Sequence, residues 1–254
     1  MNHIRKGGGP GIVLALLLIG SFLPITAQEE EGLSVLAPLA PHSLLLDGAI
    51  KEGLAVAVGE RGHVLVSRDQ GRTWDQSQVP TQATLTAVYL HNNTLGWAVG
   101  HDAVILRTRD GGETWEKVRS APDEERPLLD IWFRDERHGF AIGAYGYFLA
   151  TEDGGDNWDP VEIGATDEEV DEFYGGGFDY HLNHLARSAS GRLFIAAEAG
   201  TVYRSDDGGE SWVSLPSPYE GSFFGSLPLD SDALLLFGLR GHLYRSGDAG
   251  ETWT

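Results

Sequence analysis

One pattern occurs five times in this chain: a hydroxyl residue, an aspartate two places on, a glycine, and a closing tryptophan. It reads SRDQGRTW at 67–74, TRDGGETW at 108–115, TEDGGDNW at 151–158, SDDGGESW at 205–212 and SGDAGETW at 246–253. The tryptophans are Trp74, Trp115, Trp158, Trp212 and Trp253, at intervals of 41, 43, 54 and 41 residues. A period of roughly 20–50 residues restricts a chain to a solenoid, a propeller or an array. The content of each period decides among these. The second contains LTAVYL, GWAVG, AVILRT and, after the turn, TWEKV: four short β-type runs separated by Gly and Asx residues. Four strands per period of about forty residues is a propeller blade. No stretch sustains a 3.6-residue period, which removes helical solenoids.

The expected fold is therefore all-β, a propeller of four-stranded antiparallel blades near 43–79, 84–119, 127–163, 182–215 and 221–254. A second element recurs upstream of each polar turn: VGERGHVLVS, VGHDAVILRT, IGAYGYFLAT, AAEAGTVYRS and FGLRGHLYRS. It reads as a second strand, a tight turn, then a third strand, so the polar turn joins the third strand to the fourth. Within TRDGGETW, the Thr108 hydroxyl and the Asp110 carboxylate can accept N–H groups of their own turn. Gly112 tolerates positive φ, and Trp115 can fill the wedge between blades. The five copies, Asp69 with Trp74, Asp110 with Trp115, Asp153 with Trp158, Asp207 with Trp212 and Asp248 with Trp253, are thus structural closures of hairpins and not catalytic centres.

The unit [ST]-x-D-x-G-x-[TSN]-W resembles the Asp-box, or BNR, repeat of sialidases, other glycoside hydrolases, sortilin-type receptors and photosystem II assembly-factor propellers. The longer unit that includes the preceding strand pair is most similar to the photosystem II assembly/stability factor group, over about residues 43–254. That resemblance implies a non-catalytic propeller of about seven blades, of which five are visible, and so a truncated larger ring. The alternative is that LSVLAPLA at 33–40 supplies the missing strand and closes a five-bladed ring. The resemblance also implies that ligands meet the edge opposite the Asp-boxes. The candidates there are Glu60, Arg61 and His63; His101 and Asp102; Tyr145 and Tyr147; Glu198; Arg240 and His242.

The 54-residue interval marks an insertion between the third and fourth blades. It carries Asp167, Glu168, Glu169, Asp171, Glu172 and Asp179, with Phe173, Tyr174, Phe178 and Tyr180 around Gly175-Gly176-Gly177. Acids with aromatics beside a glycine run suit a partner-binding loop. The acids lack the calcium-loop spacing. His181 and His184, three apart on a strand, point to opposite faces. No cysteine or HExxH pattern is present, so neither metal nor cofactor is expected.

Arg5 and Lys6, an uncharged apolar run from Ile12 to Ile25, and small residues before Gln28 read as a secretory signal peptide over 1–27, followed by an N-terminal segment at 28–42. The expected location is periplasmic or extracellular. Removing two of the 18 basic residues leaves 16 against 38 acidic residues, a net charge of −22. Such a surface repels nucleic acid and anionic lipid. The photosynthetic members of the similar group use basic patches for partner contact, so this chain's acidity implies a different membrane or periplasmic protein partner. A sialidase would need three arginines around a Tyr–Glu pair and an acid/base Asp. The early R-I-P element is absent, and no arginine trio accompanies Tyr145, Tyr147 and Glu198. A paired-carboxylate hydrolase or a glycan-binding propeller is the alternative reading.

Overall fold

The computed structural model describes residues 32–161, 163, 180–229 and 232–254. The signal-peptide reading of 1–27 and the insertion residues Phe173, Tyr174 and Phe178 lie outside them.

The described chain is all-β and forms five antiparallel sheets, one per repeat. The first holds β1 (Leu45–Lys51), β2 (Leu54–Gly59), β3 (Val64–Ser67) and β4 (Asp75–Ser77). The second holds β5 (Leu85–Leu90), β6 (Gly96–Gly100), β7 (Ile105–Thr108) and β8 (Glu116–Arg119). The third holds β9 (Leu128–Phe133), β10 (Gly139–Gly143), β11 (Phe148–Thr151) and β12 (Asp159–Pro160). The fourth holds β13 (Leu182–Arg187), β14 (Leu193–Ala197), β15 (Val202–Ser205) and β16 (Val213–Ser214). The fifth has three strands, β17 (Phe223–Pro228), β18 (Leu234–Gly238) and β19 (Leu243–Ser246). At the place of its fourth strand, Thr254 exchanges both backbone hydrogen bonds with Arg245 at 2.9 Å.

The second, third and fourth sheets are hydrophobic on both faces, because each is sandwiched by its neighbours. The second strands, LAVAVG, GWAVG and LFIAA, are almost wholly buried. The cores accordingly lie between blades. Val56, Val66 and Leu54 meet Leu85, Leu106 and Trp115, and the next wedge joins Trp97, Val99 and Ile105 to Leu128, Ile131, Phe133 and Trp158. Innermost strands pack in sequence, β1 on β5, β5 on β9, β9 on β13 and β13 on β17. No comparable packing joins β17 to β1 among the described residues.

Residues 33–40 do not complete the fifth blade. They run along the first blade instead. Ser34 N–H donates to Val79 O at 2.8 Å, Ala37 N–H donates to Gln76 Oε1 at 2.7 Å, and Ser34 is fully buried. The alternative of a ring closed by this segment is therefore wrong. The segment is rich in Pro and Ala, and it is held by side-chain amides of β4 and the residues after it, not by a regular ladder.

Candidate functional site

An antiparallel third strand of four residues puts its preceding turn and its following Asp-box at opposite ends, roughly 10 Å apart at about 3.4 Å per residue. The turn edge is built the same way in every blade. The first turn residue donates its N–H to the carbonyl just before the blade's first strand: Glu60 to Leu44, His101 to Thr84, Ala144 to Pro127, Glu198 to His181 and Leu239 to Ser222, at 2.9–3.1 Å. The second turn residue is left-handed each time, at Arg61, Asp102, Tyr145, Ala199 and Arg240, with φ of 51–61°. The turn and the incoming connection are thereby stapled into one surface. A glycine ends the second strand in four blades because the connection passes so closely. A Cβ on Gly100 would lie 2.1 Å from Thr84 O.

This edge carries one cluster that combines several candidate residues. Tyr145 is 53% exposed and meets the His181 ring edge-on at 4.9 Å. His181 Nδ1 lies 3.5 Å from Glu198 Oε1, and its backbone N–H donates to Glu198 Oε2 at 3.1 Å. Tyr180, half exposed, accepts the Gly146 N–H through its carbonyl. A second cluster sits on the fifth blade. His242 stacks on Tyr219 at 4.2 Å, and its Nδ1 lies 3.1 Å from the Tyr244 hydroxyl. Arg61, His101, Asp102 and Arg240 are exposed on the turns and are separate from these clusters.

Two candidates face inward. His63 is 6% exposed, with Nδ1 2.8 Å from the Ser43 hydroxyl. Tyr147 is 5% exposed; its hydroxyl accepts from Arg119 Nη2 at 2.6 Å, and its ring lies under Arg126. Burial, then the nearby Glu124 carboxylate, raises the Tyr147 hydroxyl's pKa. Tyr147 points into the wedge with the second blade, while His63, at the equivalent position of the first blade, is covered by the incoming segment at Ser43.

Sequence reading missed the aspartates of the inner strands. A bulge interrupts the first strand of each blade, and in the first and third blades the residue after it is an aspartate that reaches the next blade. Asp47 Oδ2 accepts the Val88 N–H at 2.8 Å, and Asp130 Oδ2 accepts the Leu185 N–H at 2.7 Å. Burial raises Asp130 to about 6, partly offset by His184, whose Nε2 is 4.0 Å away. A lone acid inside LLDIWF was the available signal. His181 lies beside Glu198 and His184 beside Asp130, so the two do not share a ligand position. Among the described residues no three His, Asp or Glu side chains could hold a metal together.

The Asp-box edge is closed on itself. Asp110 Oδ1 accepts from Thr114 N–H and the Thr108 hydroxyl, each at 2.9 Å, while Oδ2 takes the Thr114 hydroxyl at 2.6 Å. The other four boxes repeat these bonds. Such donors lower the pKa of Asp69, Asp153 and Asp248 to about 2, and that of Asp207 further.

Residues 42–123 and 120–254 both match the family described as photosynthesis system II assembly factor YCF48. The chain belongs to this family. The YCF48 structure from Cyanidioschyzon merolae is 19% identical, covering 81% of this chain and 67% of that one, with a TM-score of 0.62. The GH74 enzyme of Niastella koreensis is 15% identical over 83% of this chain and 38% of its own, at 0.64. The extracellular domain of a two-component system from B. thetaiotaomicron is 10% identical over 80% and 27%, at 0.59. These three likenesses are of fold. No curated protein matches. Among the described residues no helix is long and apolar enough to cross a membrane.

Proposed function

We propose that this YCF48-family chain is an exported, non-catalytic propeller that binds a protein partner and assists assembly or stability of a membrane or periplasmic complex. The family match across 42–254 carries this reading. The partner meets the turn edge, centred on Tyr145, His181 and Glu198. An aromatic ring beside an anchored carboxylate, on a backbone stapled in every blade, suits a preorganised contact. With a net charge of −22 after signal removal, the favoured partner presents a basic surface.

The test is affinity capture from the native envelope with mature wild-type protein and with a Tyr145→Ala/Glu198→Gln variant. Recovery of one defined envelope protein by the wild type, lost in the variant, is expected. Turnover of a glycoside by the wild type, abolished by a single carboxylate substitution, would instead establish the hydrolase alternative.

A further inference from the structure

The wedge between the first two blades is underfilled at its Asp-box end. Each blade lines its wedge there with a cross-strand pair, one residue from its second strand and one from its third. The second blade offers Trp97 with Arg107, the third Phe140 with Ala150 and the fourth Phe194 with Arg204. The first offers only Val56 with Val66. Beside Val66 lies a pocket of about 490 Å³, whose lining includes Arg68, Asp75, Ser77, Gly112 and Glu113.

In two other blades the same register position places a guanidinium in the wedge. Arg107 donates through Nη1 to Gly154 O at 2.8 Å, meets Asp156 Oδ1 through Nη2 at 2.7 Å, and donates through Nε to Glu116 Oε1 at 2.6 Å. Arg204 donates to Ala249 O at 3.0 Å and to Glu251 at 2.8 Å. The acceptors are the carbonyl just after the box aspartate and the acid two places further on. For Arg107 they include the acid paired with it on the fourth strand.

The first wedge retains all three acceptors around a valine. Gly111 O and Glu113 come from the second blade's box. Asp75 pairs across the strands with Val66 as Glu116 does with Arg107. The Asp75 carboxylate is exposed and has no partner among the described residues. Arg68 reaches Gly111 O and Glu113 from the rim, both at 3.2 Å, with half of its side chain exposed.

We infer that this pocket is a binding site for a small alkylguanidinium compound, whose planar head takes the place that Arg107 and Arg204 fill in their own wedges. Asp75 and Glu113 accept its N–H groups, in a fork geometry that favours guanidinium over ammonium. Val66 covers its alkyl stem. The pocket lies at the Asp-box edge and is independent of the proposed partner face.

The test titrates isotope-labelled protein with ethylguanidinium and follows the backbone amide signals of Ser77 and Gly112. Saturable shifts in the millimolar range are expected, with ethylammonium binding more weakly. Asp75→Asn and Glu113→Gln should each weaken binding about tenfold, the worth of one charged hydrogen bond. Arg68→Ala, which releases Gly111 O and Glu113, should strengthen it. Val66→Arg should abolish it by supplying the guanidinium from within the blade; if that variant does not fold, the two acid variants decide. Absence of a saturable shift, equal affinity for ethylammonium, affinity indifferent to both acid variants, or weaker binding in Arg68→Ala would overturn the inference.

Discussion

Tryptophans that are identical by motif differ in burial, and the difference fixes their energetics. Trp115 is 7% exposed in the wedge between the first two blades, with Nε1 donating to Gly112 O. Trp74 makes the equivalent bond to Gly71 O but is only half-buried, with no blade packed before it among the described residues. Trp115→Ala should cost about 3–5 kcal/mol in urea unfolding, the usual loss for a buried large aromatic. Trp74→Ala should cost about 1 kcal/mol or less. Equal costs would mean that the wedge contributes nothing beyond the turn. The motif made the turn chemistry legible residue by residue, since Ser or Thr, Asp and Gly have few other reasons to recur at that spacing. It could not separate buried from exposed copies, because burial depends on the neighbouring blade. The same blindness affected His63 and Tyr147, whose turn positions suggested exposure while the strand register turned them inward.

At the scale of elements, the sheets were readable from short apolar β-type runs and the Gly and Asx residues between them. What joins one sheet to the next was not. Arg107 is 5% exposed and divides its donors among Gly154 O, Glu116 and Asp156. Its partners are 9 and about 50 residues away, and nothing local marks it. Arg107→Ala removes bonds to Gly154 O, which keeps its Trp97 Nε1 donor, and to two half-exposed carboxylates, so a loss of about 1–3 kcal/mol is expected. Arg245→Ala, at the matching position of the fifth blade and without side-chain partners among the described residues, should stay within about 0.5 kcal/mol in the 254-residue chain. Chemical denaturation of the two variants side by side separates a latch from a generic strand arginine.

Across the molecule, two groups of carboxylates oppose each other in their pH dependence. Asp69, Asp153 and Asp248 have folded values near 2 against 3.8 for the free side chain. Their stabilisation is present above about pH 4 and is lost as pH falls through 2. Asp130 is raised from 3.8 to about 6. The folded state binds that proton more tightly, so this contribution is present below about pH 4 and is lost as pH rises through 6. The urea midpoint should therefore peak around pH 4–5, and Asp130→Asn should flatten its decline between pH 4 and 7. An unchanged decline in that variant would assign the loss to general repulsion in a chain of net charge −20. The proposed partner face is likewise a property of the whole molecule. The repeat predicts a turn edge, but Tyr145, His181 and Glu198 come from two blades, and only folding brings them together. The most direct test of its role is photo-crosslinking in the native envelope, with a photoreactive residue at Tyr145 and, as a control, at Thr114 on the Asp-box edge. A single defined protein crosslinked from position 145 and not from 114 is the result this account requires. The same products from both positions, or products from 114 alone, would contradict it.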